Sequence, residues 1–86
     1  MRKRNRDFLL EYLLIHPCVD CGEDDPIVLD FDHVKGKKFK NVGRLCINGF
    51  STDSIKKEID KCDVRCANCH RRKTAKEFGW YKAMVK

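Results

Sequence analysis

Two cysteine pairs of the same spacing, Cys18-Val-Asp-Cys21 and Cys66-Ala-Asn-Cys69, constrain this chain more than anything else in it. A Cys-x-x-Cys turn presents two sulfurs to one side of an ion, and a second, distant pair closes the other side of a tetrahedral zinc site. Cys18, Cys21, Cys66 and Cys69 are therefore the expected ligands of one structural Zn²⁺. The chain needs such a staple, because a domain of 86 residues falls in the size class that buries only about 60% of its unfolded surface. Disulfides would be the other staple, but they belong to secreted chains. Arg2, Lys3, Arg4 and Arg6 resemble the basic start of a signal peptide, yet Asp7 and Glu11 break the apolar stretch over 8–15 and no small-residue cleavage site follows. The expectation is a cytoplasmic protein with reduced thiols. No apolar run approaches the roughly 18 residues of a membrane span. Cys66-Ala-Asn-Cys69-His70 also spells the c-type haem attachment motif, but that use needs export and leaves Cys18 and Cys21 without a role.

The remaining pattern predicts one α+β domain over 1–86: a basic N-terminal helix in 1–16, a zinc-bound core over 17–78 and a basic tail over 79–86. Residues 5–15 suit a helix with Phe8, Leu9, Tyr12, Leu13 and Ile15 on a broad apolar face, stopped by Pro17. The β-branched, alternating stretch 27–32 predicts a strand with His33 at its end. Gly36 among lysines marks a loop, 39–47 a second strand antiparallel to the first, and Asn48-Gly49 a turn. Ser51 is a good N-cap for a helix running to about Cys62, with Ile55, Ile59 and Cys62 inward and Glu58 and Asp60 on its exposed face. A last helix begins near Asn68, runs past Phe78 and stops at Gly79. Cys46 and Cys62 read as compact buried hydrophobes. Trp80 and Tyr81 read as packing against the N-terminal helix, with base stacking as their other use. Knuckle, hairpin, inserted helix, knuckle, helix is the order of a treble-clef zinc fold.

The net charge of +6 is unevenly spread. Residues 17–32 hold six acids and no Lys or Arg, residues 33–50 five Lys or Arg and no acid, and residues 64–86 seven Lys or Arg against one acid. Clustered cations bind polyphosphate backbones, and a neighbouring group of carboxylates suits a divalent cation. If the two knuckles share one ion, the end of the first strand meets the first turn of the last helix, bringing Asp32, His33 and His70 together. A carboxylate oxygen and an imidazole nitrogen suit Mg²⁺, Mn²⁺ or a similar divalent ion, which leaves His33 free as a general base.

Leu29-Asp30-Phe31-Asp32-His33, then Glu58-Ile59-Asp60-Lys61-Cys62, then Cys66-Ala67-Asn68-Cys69-His70-Arg71-Arg72-Lys73-Thr74 resemble a zinc-containing HNH endonuclease of the kind common in phage genomes, over residues 17–75. The resemblance implies a ββα-metal (His-Me finger) core. In it His33 is the general base, Asp32 and His70 hold the catalytic divalent metal, and DNA is nicked to leave a 5′ phosphate. It implies phosphate contacts from Lys35, Lys37, Lys38, Lys40, Arg44, Arg71, Arg72 and Lys73, with little sequence preference. A phage origin would put the protein in the host cytoplasm, with a packaging terminase as a partner and a homodimer as one route to double-strand breaks. The family's middle Asn is replaced here by Lys61; Asn41 and Asn48 are the other side chains within reach of the His33 loop, and none is assigned. The competing class is a non-catalytic treble-clef module that binds nucleic acid or a partner protein. Binding of a second metal besides zinc by Asp32, His33 and His70 separates the two.

Overall fold

The computed structural model describes residues 3–85. Helix α1 (Lys3–Leu14) comes first, and a single 3-10 turn (Pro26–Val28) leads into strand β1 (Leu29–His33). Two short helices follow, α2 (Val42–Ile47) and α3 (Thr52–Ile59), then strand β2 (Cys62–Cys66), helix α4 (Ala67–Glu77) and a closing 3-10 segment (Tyr81–Val85). The architecture is α+β, with four helices around a two-stranded antiparallel sheet. Leu29 faces Cys66, Phe31 faces Val64 and His33 faces Cys62 across the strands. No helix among the described residues is long and apolar enough to cross a membrane.

Two expectations about this sheet are corrected. Residues 39–47 do not form its second strand: Val42, Leu45 and Cys46 are buried at i, i+3 and i+4, a helical period that turns this segment into α2. The second strand is instead β2, in the stretch where the sequence predicts the end of α3 and the approach to the knuckle. Its inward residues Val64 and Cys66 alternate with half-exposed Asp63 and Arg65, the two-residue period of a strand. Helix α3 starts as expected, with Ser51 Oγ accepting from the Ser54 N–H at 3.2 Å, but it ends at Ile59. The whole of α2 and α3 is thus an excursion between paired strands.

That excursion builds half of the core. Val42, Leu45, Cys46, Ile55 and Ile59 pack together with Phe8, Leu9, Phe50 and Cys62, while Cys18, Leu29, Val64, Cys66 and Cys69 form a second cluster with Leu13 and Val28. Tyr12 and Phe31 belong to both. The apolar face of α1 therefore spans the two clusters, except that Ile15 is exposed rather than packed. Asn5 is fully buried, and its side-chain amide donates to the Cys46 and Phe50 carbonyls at 3.2 and 3.3 Å. It pins α1 to the C-terminal end of α2.

At the other end of the chain, α4 stops at Glu77 instead of running past Phe78. Gly79, at φ 64°, takes the left-handed conformation that ends a helix cheaply only in glycine. The Trp80 N–H then donates to the Ala75 carbonyl at 2.9 Å, folding the tail back along α4. Trp80 accordingly lies over Arg71, with the guanidinium carbon 5.5 Å from the ring centre, and Tyr81 is exposed; neither packs on α1.

Replacing Asn5 with Ala removes a donor from the Cys46 and Phe50 carbonyls and leaves a cavity at a fully buried position. We expect a loss of about 1–3 kcal/mol in urea unfolding, with an unchanged m-value.

Candidate metal centre

The first knuckle is closed by backbone hydrogen bonds. The Gly22 N–H donates to the Cys18 carbonyl and the Cys18 N–H to the Glu23 carbonyl, both at 2.9 Å. Gly22 supplies the φ of 79° that the reversal needs. A further bond at 2.9 Å, from the Val19 N–H to the Val64 carbonyl, fastens this turn to β2. On the other side Cys66 ends β2 and is the N-cap of α4, its sulfur accepting from the Cys69 N–H at 3.4 Å. The Sγ atoms of Cys18, Cys21, Cys66 and Cys69 consequently lie within 4.8 Å of one another, and Cys21 and Cys66 are 3.7 Å apart. Zinc–sulfur bonds of about 2.3 Å at tetrahedral angles require sulfur separations near 3.8 Å, so the cluster can hold such a metal. All six cysteines are free. Burial pushes the Cys18 thiol up, but backbone hydrogen bonds from Cys66, Cys21 and Asp20 outweigh it and bring the pKa to about 6, favouring the thiolate that binds metal.

The alternation of β1 sends Asp30 and Asp32 towards α4. Asp32 is buried, and its Oδ2 accepts from Arg65 Nη1 at 2.8 Å and faces Lys73 Nζ at 3.2 Å. Its Oδ1 lies 3.5 Å from His70 Nε2, while Asp30 Oδ2 is 3.5 Å from His70 Nδ1. His70 thus sits between two carboxylates, with its Nε2 turned to the buried one. Arg65 also bonds Asp20 at 2.8 Å and so joins the first knuckle to Asp32. Asp32 Oδ1 and His70 Nε2 thus face each other, with Asp30 as the outer partner of the imidazole.

His33 leaves the strand on the opposite face. It meets Glu58, Nε2 to Oε2 at 2.8 Å, while Asp32 and His70 face each other on the other side of the strand. Glu58 was expected on an exposed helix face and is instead 2% exposed. The same oxygen accepts from the Phe39 N–H at 2.9 Å, and Oε1 takes Lys61 Nζ at 2.9 Å. Burial opposes its charge, but hydrogen bonds from Lys61, the Phe39 backbone and His33 more than offset this and lower the pKa to about 2. An ionised carboxylate only accepts, so His33 Nε2 carries the shared proton. Lys61 completes the clasp: its carbonyl accepts from the Val34 and Lys35 N–H groups at 2.9 and 3.2 Å, and Nζ donates to the Lys37 carbonyl at 2.7 Å. Asn41 and Asn48 make no bond to His33; they flank α2. Sequence reasoning missed Glu58 because an acid on a helix is ordinarily solvated; its place three residues after Ile55 on the inward side was the available signal.

The basic residues divide into two groups. Lys35, Lys37, Lys38 and Arg44 are exposed on the loop and helix that follow β1, with Lys40 half-buried over the Phe39 and Phe50 rings. Arg71 and Arg72 are exposed on α4, but Lys73 is committed to ion pairs with Asp32 and Glu77. Cys62 is kept a thiol, its pKa pushed up to about 11 by burial and then by the Glu58 and Asp32 charges. Its Sγ donates to the Glu58 carbonyl at 3.4 Å. Compared with known proteins, the chain matches no family model, no curated protein and no solved structure.

Elemental analysis should find one metal ion per chain. Cys69→Ser should unfold the protein, because binding energy at such a centre is folding energy; circular dichroism with and without a chelator checks this. The depressed Glu58 pKa makes a second prediction. Its carboxylate adds stability that is complete above the unfolded value of 4.5 and is lost as pH falls towards about 2. Glu58→Gln should therefore flatten the acid dependence of urea stability across that window.

Proposed function

We propose that this protein is a metal-dependent DNA endonuclease on a treble-clef zinc fold, with β1, β2 and α4 forming a ββα-metal core of the HNH kind. One observation carries the reading: beside the four-cysteine cluster, His70 in the first turn of α4 stands 3.5 Å from Asp32, the residue before His33. Zinc suits the four sulfurs and would be structural there, since four protein ligands leave no open position. Asp32 and His70 would hold Mg²⁺, Mn²⁺ or a similar ion, which when bound supplies charge stabilisation at the phosphate and the departing 3′ oxygen.

The chain's own groups supply the rest. His33 Nδ1 takes the proton from the attacking water while Glu58 holds Nε2. Base and metal pair leave β1 on opposite faces, which lets them address one phosphodiester from its attacking and leaving sides. Asp30 fixes the His70 ring. Lys35, Lys37, Lys38 and Arg44 on one flank and Arg71 and Arg72 on the other would hold neighbouring phosphates, which position a duplex without reading its sequence. A single such site cuts one strand, so double-strand breaks need a homodimer or successive nicks.

A specific observation favours a second reading. Arg65 and Lys73 both face Asp32 Oδ2, so the carboxylate already has its counter-charges, as in a non-catalytic zinc module that binds nucleic acid or a partner protein. Plasmid nicking decides between them. Wild type should nick with Mg²⁺ or Mn²⁺, and His33→Ala should lose about 10²–10⁴-fold with zinc content and DNA affinity unchanged. Raised Mn²⁺ should partly rescue Asp32→Ala and His70→Ala but not His33→Ala. Absence of wild-type nicking with Mg²⁺, Mn²⁺, Ni²⁺ and Co²⁺ establishes the binding module. In either case affinity for every duplex should fall with salt and with Glu at Lys37, Lys38 and Arg72.

A further inference from the structure

Asn68, Arg71, Arg72, Ala75 and Lys76 recur at i, i+3, i+4, i+7 and i+8 and so share one face of α4, turned away from Asp32. The tail folds back along that face after Gly79, adding Trp80, Lys82 and Ala83. Together they line a groove of about 510 Å³, within the roughly 300–1,000 Å³ of small-ligand sites. Four cations and no acid line it, and Ala75 and Ala83 leave room beside the indole. Trp80 is fixed by its backbone, with the Ala75 carbonyl accepting from its N–H and its own carbonyl accepting from the Ala83 N–H, both at 2.9 Å. The residue nevertheless stays 37% exposed. A buried anchor would be covered; here Arg71 lies over the ring at 5.5 Å and the rest of the side chain borders the groove.

We propose that this groove binds an unpaired nucleotide of a single strand, the base stacking on Trp80 and the adjoining phosphates on Arg71, Arg72, Lys76 and Lys82. The cations select a polyanion, and the flat aromatic wall selects a ring whose face is free. Bases inside a duplex have their faces covered by their neighbours, so a paired strand can use the cations but not the indole. Arg72 and Lys76 also line the adjoining depression with Asp20, Arg65, Lys73 and Glu77, so two of the groove's cations adjoin Lys73, the partner of Asp32. If the endonuclease reading holds, on which this last step rests, the preferred substrate has an unpaired nucleotide next to the scissile bond.

Trp80 is the single tryptophan of the chain, so its fluorescence reports on the groove directly. The experiment uses zinc-loaded full-length protein without added divalent cation and titrates it with an eight-residue oligothymidylate, a duplex of equal phosphate number and inorganic phosphate. The oligothymidylate should quench Trp80 to saturation, and the other two should leave the emission nearly unchanged. In anisotropy with labelled strands, Trp80→Leu should weaken single-strand binding roughly five- to a hundredfold, the loss of one stacked base. It should change duplex binding less than twofold, and Trp80→Phe should restore most of the loss. Equal quenching by duplex or phosphate would reduce the groove to an anion site and overturn the proposal, as would single-strand binding that neither quenches Trp80 nor responds to Trp80→Leu. None of these measurements needs cleavage, so they stand whether or not the plasmid is nicked.

Discussion

The meeting of the two cysteine knuckles is the constraint from which the rest of the molecule follows. Cys66 belongs at once to the last position of β2, to the N-cap of α4 and to the sulfur cluster. Moving it would shift the strand register, the start of the helix and the metal-holding geometry together. The antiparallel pairing of Leu29 with Cys66 then dictates that Asp30 and Asp32 pass in front of the first turn of α4. His70 meets them because it directly follows Cys69. A chain of this size has little other core to enforce such precision.

Around that centre the polar groups are arranged in two layers separated by β1. On one side Arg65 links Asp20, Asp32 and Asp63; on the other Glu58 gathers His33, Lys61 and the Phe39 backbone. Buried charges of this kind cost desolvation energy that is recovered only when each lone pair has a donor. Among the described residues, no buried side-chain nitrogen or oxygen lacks a partner. Loop 34–41 owes its path to this second layer, since Lys61 and Glu58 bond its backbone at both ends.

What could be read from the sequence was what local chemistry fixes. The knuckles, the Ser51 cap, β1 and the apolar face of α1 each carry a signal within a few residues. The pairing of Asp32 with His70 followed from the ligand spacing alone. The failures lie where long-range packing decides. Residues 39–47 contain Val42, Leu45 and Cys46, whose helical spacing competes with a β-branched look, and burial against Ile55 and Ile59 settles the matter. In β2 four of five residues are Cys, Asp or Arg, a composition that does not announce a strand until a partner is known. Glu58 and Asn5 were invisible for a related reason: a polar residue is buried only when the fold supplies its donors or acceptors, and those lie far away in the chain.

The placement of α2 and α3 between the paired strands has a consequence for how the protein comes into being. Every contact of the sheet joins segments separated by residues 34–61, so the sheet is non-local although the molecule is small. Loop closure of that length opposes early pairing of the strands. During synthesis the pair Cys18 and Cys21 emerges long before Cys66 and Cys69, and for that interval it is an open half-site with two reactive sulfurs. A metal that needs all four sulfurs could therefore be held only once the sheet has formed, after the last cysteine has appeared.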